Sequence, residues 1–113
     1  AELNAQPKAL AEKARTGKLL PDEMAGSTFT VSNMGMLNVD QFTAIINPGE
    51  AGILAVSSGR QVPAVVNGEV KIRTMMAMTL SADHRIVDGA VGAQFVNAIR
   101  AKLENIDLWK ALV

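Results

Sequence analysis

Between Leu80 and Ala90 the sequence reads LSADHRIVDGA, which holds the chain's one histidine, His84, fenced by Asp83 and Asp88. An imidazole titrates near neutrality, so it can take and return a proton at physiological pH. The ordinary alternative is a solvated or structural loop histidine, and spacing alone does not separate the two. One imidazole with flanking carboxylates lacks the further imidazoles or thiolates of a tight zinc site, and cysteine is absent, so no metal is expected. A Ser-His-Asp hydrolase stays open because Ser32, Ser81 and Asp88 are present, yet no G-x-S-x-G elbow accompanies them. The glycines of SNMGM and VNGEV fit neither a dinucleotide fingerprint nor a phosphate-binding loop. Taken singly, Asp88 suits a helix N-cap, Ser32 a strand end, and the six methionines an aliphatic core.

The elements around these residues follow from pattern. Pro7 to Lys18 predicts a helix, with Pro7 in its first turn and Gly17 at its C-terminal cap. LLPDEMAG reads as a turn or a single helical turn. Ser27 to Asn33 has the β-branched and aromatic content of a strand. A glycine-bearing loop follows, then FTAIIN as a second short strand, and AGILAVSSG as a buried one. Asn67-Gly68 accepts the positive φ angles of a type I′ hairpin turn. Beyond it, every even position from Val70 to Leu80 except Thr74 is apolar, predicting one strand with one buried face throughout. Its second face turns apolar toward the C-terminal end, as if covered by a helix or another chain. From Asp88 the period becomes helical, with Val91, Phe95, Ile99 and Leu103 on one stripe and Val96 adjoining. Asp88 is placed as N-cap, so His84 belongs to a tight strand-to-helix connection held by backbone.

A chain of 113 residues forms at most one domain. Its 11 basic and 11 acidic residues give no electrostatic case for nucleic acid or an anionic membrane. No uninterrupted apolar run reaches the length of a bilayer span, and no signal-peptide pattern is present. The chain begins without Met, in what reads as helical sequence, which suggests a piece of a longer protein. Apolar residues make up 49% and aromatics 4%. The core is therefore aliphatic, and part of the apolar surplus is expected to face a partner or another segment.

DHRIVDG resembles the D-H-R-x-x-D-G signature of the dihydrolipoyl acyltransferases, the core subunits of 2-oxo acid dehydrogenase complexes. FTVSNMGM, AIINPGEAGILAV and GAVGAQF are similar to three further family blocks in the same order, and LAEKARTGKLLPDE to the segment before them. The resemblance runs from about Leu10 to the C-terminus. It implies an α/β fold, an α+β two-layer sandwich of chloramphenicol-acetyltransferase type with a mixed sheet packed against helices. Residues 1–113 are then the C-terminal part of the acyltransferase catalytic domain, with the lipoyl and peripheral-subunit-binding domains outside this sequence.

The family moves an acyl group from an S-acyl-dihydrolipoyl arm to coenzyme A, and SNMGM and DGAVGAQF look more like its pyruvate-complex branch, which implies acetyl. The resemblance makes His84 the base for the coenzyme A thiol and Ser32 the hydroxyl donor to the oxyanion. It makes Asp88 the second acid of the signature, expected to orient the loop. The lipoyl group sits on a domain outside this stretch. Partners implied are a homotrimer assembling into a cubic core of 24 or 60 subunits, with the catalytic site between neighbouring subunits. The 2-oxo acid decarboxylase and dihydrolipoamide dehydrogenase components bind through other domains, and the compartment is bacterial cytoplasm or mitochondrial matrix. INPGE departs from the I-N-P-P-Q of many relatives, and VSSGRQ from V-G-x-G-x; both bear on stability or assembly more than on chemistry. Chloramphenicol acetyltransferases and peptide-synthetase condensation domains usually carry a second histidine where Asp83 stands. A non-catalytic core subunit and an inert half-domain are also compatible with the sequence.

Overall fold

Among the described residues, the longest helix of the N-terminal region makes no extended contact with the strand that carries Ser32. The structure, a computed structural model, describes residues 1–112. Helix α1 spans Glu2–Arg15 and buries none of its residues. It ends as expected: Gly17 takes φ +69°, and the amides of Gly17 and Lys18 donate back to Ala14 O and Lys13 O. Pro7, expected in the first turn, lies inside α1 because the helix begins five residues earlier. The amide it lacks leaves the Leu3 carbonyl to solvent, which a fully exposed helix tolerates. Pro21–Met24 forms the single helical turn after it.

Strands β1 (Thr30–Asn33), β2 (Gly52–Val56) and β5 (Met78–Ala82) form one sheet in the order β1-β2-β5. β1 runs parallel to β2, and β5 antiparallel to it. β2 is central, and its Ile53, Leu54 and Ala55 form the buried apolar core. Helix α2 (Gly89–Glu104) lies over β5. A Cβ on Gly92 would meet Leu80 at 3.5 Å, and Phe95 meets Phe29 edge to face with ring centroids 5.7 Å apart. The helical stripe is thus real, although Gly92, Val96 and Ile99 are the more covered positions and Val91 and Leu103 the more exposed. Helix α3 (Ile106–Ala111) follows, N-capped by Asn105. A mixed sheet with helix α2 on one face fits the expected α/β architecture.

Two strand expectations are corrected. FTAIIN is extended, with Phe42, Ala44 and Ile46 half-buried, but it pairs with no strand among the described residues. Its period-two burial is that of a strand without a neighbour, and Ile45 is 91% exposed. The long strand predicted after Gly68 is broken at Met76–Ala77 into β4 (Glu69–Met75) and β5. β4 pairs only with β3 (Arg60–Val66) in a two-stranded hairpin, through the Asn67-Gly68 turn with φ +52° and +79°. Both faces of β4 are exposed, so its apolar residues (Val70, Ile72) are not a buried face within this chain.

The parallel β1–β2 pair requires a crossover. Residues 34–51 supply it, and Ser58 straps it down. The Ser58 hydroxyl donates to Gly35 O at 2.9 Å and accepts from the Val39 amide at 2.9 Å. Asp40 pairs with Arg60, whose guanidinium also donates to Asn38 O at 3.2 Å.

Candidate active site

The turn that carries His84 is built by Asp83. Its amide donates to Ala51 O at 2.8 Å, one step beyond the Gly52–Ala82 pair, so the β2–β5 ladder runs on to the edge of the turn. Its carbonyl accepts from the amides of Ile86 and Val87, each at 2.9 Å. Its carboxylate accepts from the Arg85 amide at 3.0 Å, from Nε at 3.0 Å and from Nη2 at 2.8 Å. That fork, with the backbone donor behind it, holds the Asp83 carboxyl down at about 2. Asp88 then caps α2, its Oδ1 accepting from the Val91 amide at 2.8 Å. The strand-to-helix connection is held by backbone hydrogen bonds, as expected.

His84 itself is exposed and makes no hydrogen bond to another described residue. It lines two clefts. One, of about 520 Å³, runs between the free edge of β5 and α2, past Gln41, Thr79, Asp88, Gly89 and Gly92. The other, of about 410 Å³, is walled by Ile46, Asn47, Gly49 and Glu50 on one side and by Asp83 and Arg85 on the other. The imidazole therefore stands where two molecules can approach it from different directions.

Asp88 is brought to His84, and Ser32 is not. Ser32 is level with Ala55 on β2, and Ala55 with Thr79 on β5. Two strand spacings sideways and three residues along put Ser32 roughly 14 Å from Ala82, with His84 farther still. The two residues also belong to opposite faces. Val31, Leu54 and Leu80 are in register on the face that meets α2, so Ser32, one residue on, lies on the other. Neither cleft of His84 includes Ser32. A Ser-His-Asp hydrolase requires Ser32 or Ser81 at the imidazole, and no hydroxyl bonds to it among the described residues.

A sequence profile of the 2-oxoacid dehydrogenases acyltransferase catalytic domain matches residues 1–111. The chain belongs to this family. Among curated relatives, the dihydrolipoyllysine-residue acetyltransferase component of the pyruvate dehydrogenase complex of Rickettsia bellii is 46% identical over 104 residues, covering 92% of this chain. The mitochondrial counterpart from Schizosaccharomyces pombe is 49% identical over 110 residues, covering 93% of this chain. The chain spans only 25% and 22% of their lengths. Among solved structures, the Azotobacter vinelandii dihydrolipoamide acetyltransferase superposes with TM-score 0.88 at 40% identity, over 93% of this chain and 43% of its own. The cubic core of a pyruvate dehydrogenase multienzyme complex does so with TM-score 0.88 at 39% identity, over the same shares.

Arg85, Asn47 and Glu50 are the members of the site that sequence reasoning passed over. Arg85 stands inside the signature, two residues from the acid it clamps, and an i, i+2 pair across a tight turn is the signal that marks it. Glu50 was visible only as part of a departure in the INPGE block and Asn47 not at all, because the fold alone brings them to the cleft that His84 lines.

Proposed function

We propose that this chain is the C-terminal part of the catalytic domain of a dihydrolipoyllysine-residue acetyltransferase serving a pyruvate dehydrogenase complex. The observation that carries the proposal is His84, on a backbone-held turn, at the shared wall of two clefts. Coenzyme A and the acetylated dihydrolipoyl arm each bring a sulfur to that wall. A thiol of pKa near 8.5 is mostly protonated at neutral pH, so a neutral imidazole that takes its proton during attack accelerates transfer about 10²–10⁴-fold. The coenzyme A sulfur then bonds to the acetyl carbon, and the carbonyl electron pair moves onto oxygen. A hydroxyl donor meets that oxyanion. Collapse expels the dihydrolipoyl sulfur, which takes the proton back from His84. Asp88 serves by fixing the start of α2 and with it the turn.

Ser32 is the hydroxyl donor in this proposal, supplied by a neighbouring copy, since its own His84 is on the far end and other face of the sheet. The serine, histidine and asparagine named for the catalytic mechanism of the A. vinelandii enzyme have the same spacing: the serine 52 residues before the histidine, the asparagine four after it. Ser32 and His84 are 52 apart here, with Asp88 in the asparagine's place. We further propose a homotrimer built into a cubic core of 24 or 60 subunits. Decarboxylase and dihydrolipoamide dehydrogenase components would attach through domains outside this stretch, in bacterial cytoplasm or mitochondrial matrix. The test is transfer by the complete catalytic domain from acetyl-dihydrolipoamide to coenzyme A, assayed beside acetylation of chloramphenicol. Transfer to coenzyme A alone is expected; acetylation of chloramphenicol at a comparable rate would replace this reading by an antibiotic-modifying one.

A further inference from the structure

The direction of the His84 imidazole is not set by any bond of its own. Among the described residues its ring makes no hydrogen bond, and its backbone amide and carbonyl make none either. A side chain without a partner is aimed by its Cα–Cβ bond and by the rotamers its backbone allows. Two soft angles, φ and ψ, set that bond relative to the peptide groups on either side.

Both flanking peptide groups are tied. The one before His84 is held through the Asp83 carbonyl, which accepts from the Ile86 and Val87 amides, while the Asp83 amide is anchored on Ala51 O. The one after it is held through the Arg85 amide, which donates to Asp83 Oδ1 at 3.0 Å. Of these ties, only the last depends on a side chain. That carboxylate is itself locked, by Arg85 Nε at 3.0 Å and Nη2 at 2.8 Å. The Arg85 side chain is 88% exposed, so the ion pair adds little to overall stability. Its effect is local: it keeps the carboxylate from rotating off the Arg85 amide. The fork first, and the amide after it, hold the Asp83 carboxyl at about 2, so it is an acceptor wherever an imidazole titrates.

We infer that Asp83, locked by Arg85, is a positioning residue for His84: its carboxylate fixes the peptide group after the imidazole and so the direction in which the ring stands between its two clefts. The inference rests on the reading of His84 as base. Asp83 acts through the backbone and has no proton to give. Its loss leaves the base present but free to swing, which costs rate rather than substrate affinity.

The experiment measures kcat and KM for acetyl transfer to coenzyme A by the complete catalytic domain, with thermal unfolding to check that each variant is assembled. Misplacing a reacting group by about an ångström costs about 10²-fold. Asp83→Ala should therefore lower kcat roughly ten- to a hundredfold with both KM values kept. Asn retains an oxygen that can accept from the amide two residues on, so Asp83→Asn should recover most of that loss. Arg85→Ala alters an exposed side chain and leaves the fold intact; by releasing the carboxylate it should lower kcat several-fold. In a His84→Ala background, Asp83→Ala should change nothing further, because no imidazole is left to aim. A wild-type kcat in Arg85→Ala overturns the inference even where Asp83→Ala does not assemble. So does a loss that appears in KM, an Asn variant as slow as the Ala variant, or a further loss in the His84→Ala background, since each makes Asp83 a support of something other than the base. Activity retained by His84→Ala alone removes the base itself, and the inference with it.

Discussion

The proposed base, His84, stands between two carboxylates that are already committed elsewhere. The Asp83 carboxylate spends itself on the Arg85 guanidinium and amide, and Asp88 on the first turn of α2, so neither competes for the imidazole. In the complete domain, His84→Ala should lower kcat by about two to four decades with little change in coenzyme A affinity, and Ser32→Ala by about two to three decades with both KM values kept. A loss for Ser32→Ala that appears in KM would make it a binding residue. Asp83 makes a separate prediction about acid. Its folded pKa of about 2 lies below the ordinary 3.8, so ionisation favours the fold. That contribution is full above about pH 4 and drains away as the pH falls toward 2. Urea unfolding of wild type and Asp83→Asn at a series of pH values should show a gap that is widest near neutrality and closes on the acid side. A gap of constant width would mean that the Arg85 fork does not bias the titration.

Local chemistry decided which elements could be read in advance. The cap of α2 by Asp88, the Asn67-Gly68 turn and the Gly17 terminus each depend on residues within a few positions, and each stands as the pattern implied. Strand status depends on a neighbour that the local pattern does not contain. Residues 42–46 and 70–75 carry strand-like alternation, but whether a face is buried is fixed by what lies beside it, and within this chain little does. The site followed the same division: the turn around His84 was legible from its signature, and the Asn47–Glu50 wall of its second cleft was not, because the fold brings it there from a stretch more than 30 residues away in the chain. The crossover is a case where one serine of the VSSGRQ block proves structural. Ser58 gives the Gly35–Val39 loop both a donor and an acceptor. Ser58→Ala should therefore destabilise the domain by about 1–3 kcal/mol, read from the urea midpoint, because it leaves two loop groups to find new partners. Because Ser58 touches neither cleft of His84, the plateau kcat should change far less than it does for His84→Ala.

The described residues leave large surfaces of the molecule open. Its sheet has two open edges, its hairpin projects with both faces wet, and its proposed catalytic pair is split between the two faces and the two ends of one sheet. A second copy that set its Ser32 against this His84 would complete the site, and a closed ring of three would do so at every interface. Mixing exposes that arrangement. His84→Ala chains and Ser32→Ala chains are each expected to be nearly inactive alone. Refolded together in equal amounts, a ring places a chain with intact His84 at a given position half the time, and beside it a chain with intact Ser32 half the time. About a quarter of the sites are then whole, and acetyl transfer should recover to roughly that fraction of wild type. Sedimentation of the refolded mixture at micromolar concentration should show trimers or larger, since a monomer cannot share a site. If both residues served the same chain, no site in the mixture could contain both intact residues. Activity would remain at the level of the parents, and the shared-site arrangement would be refuted even though each residue kept its role.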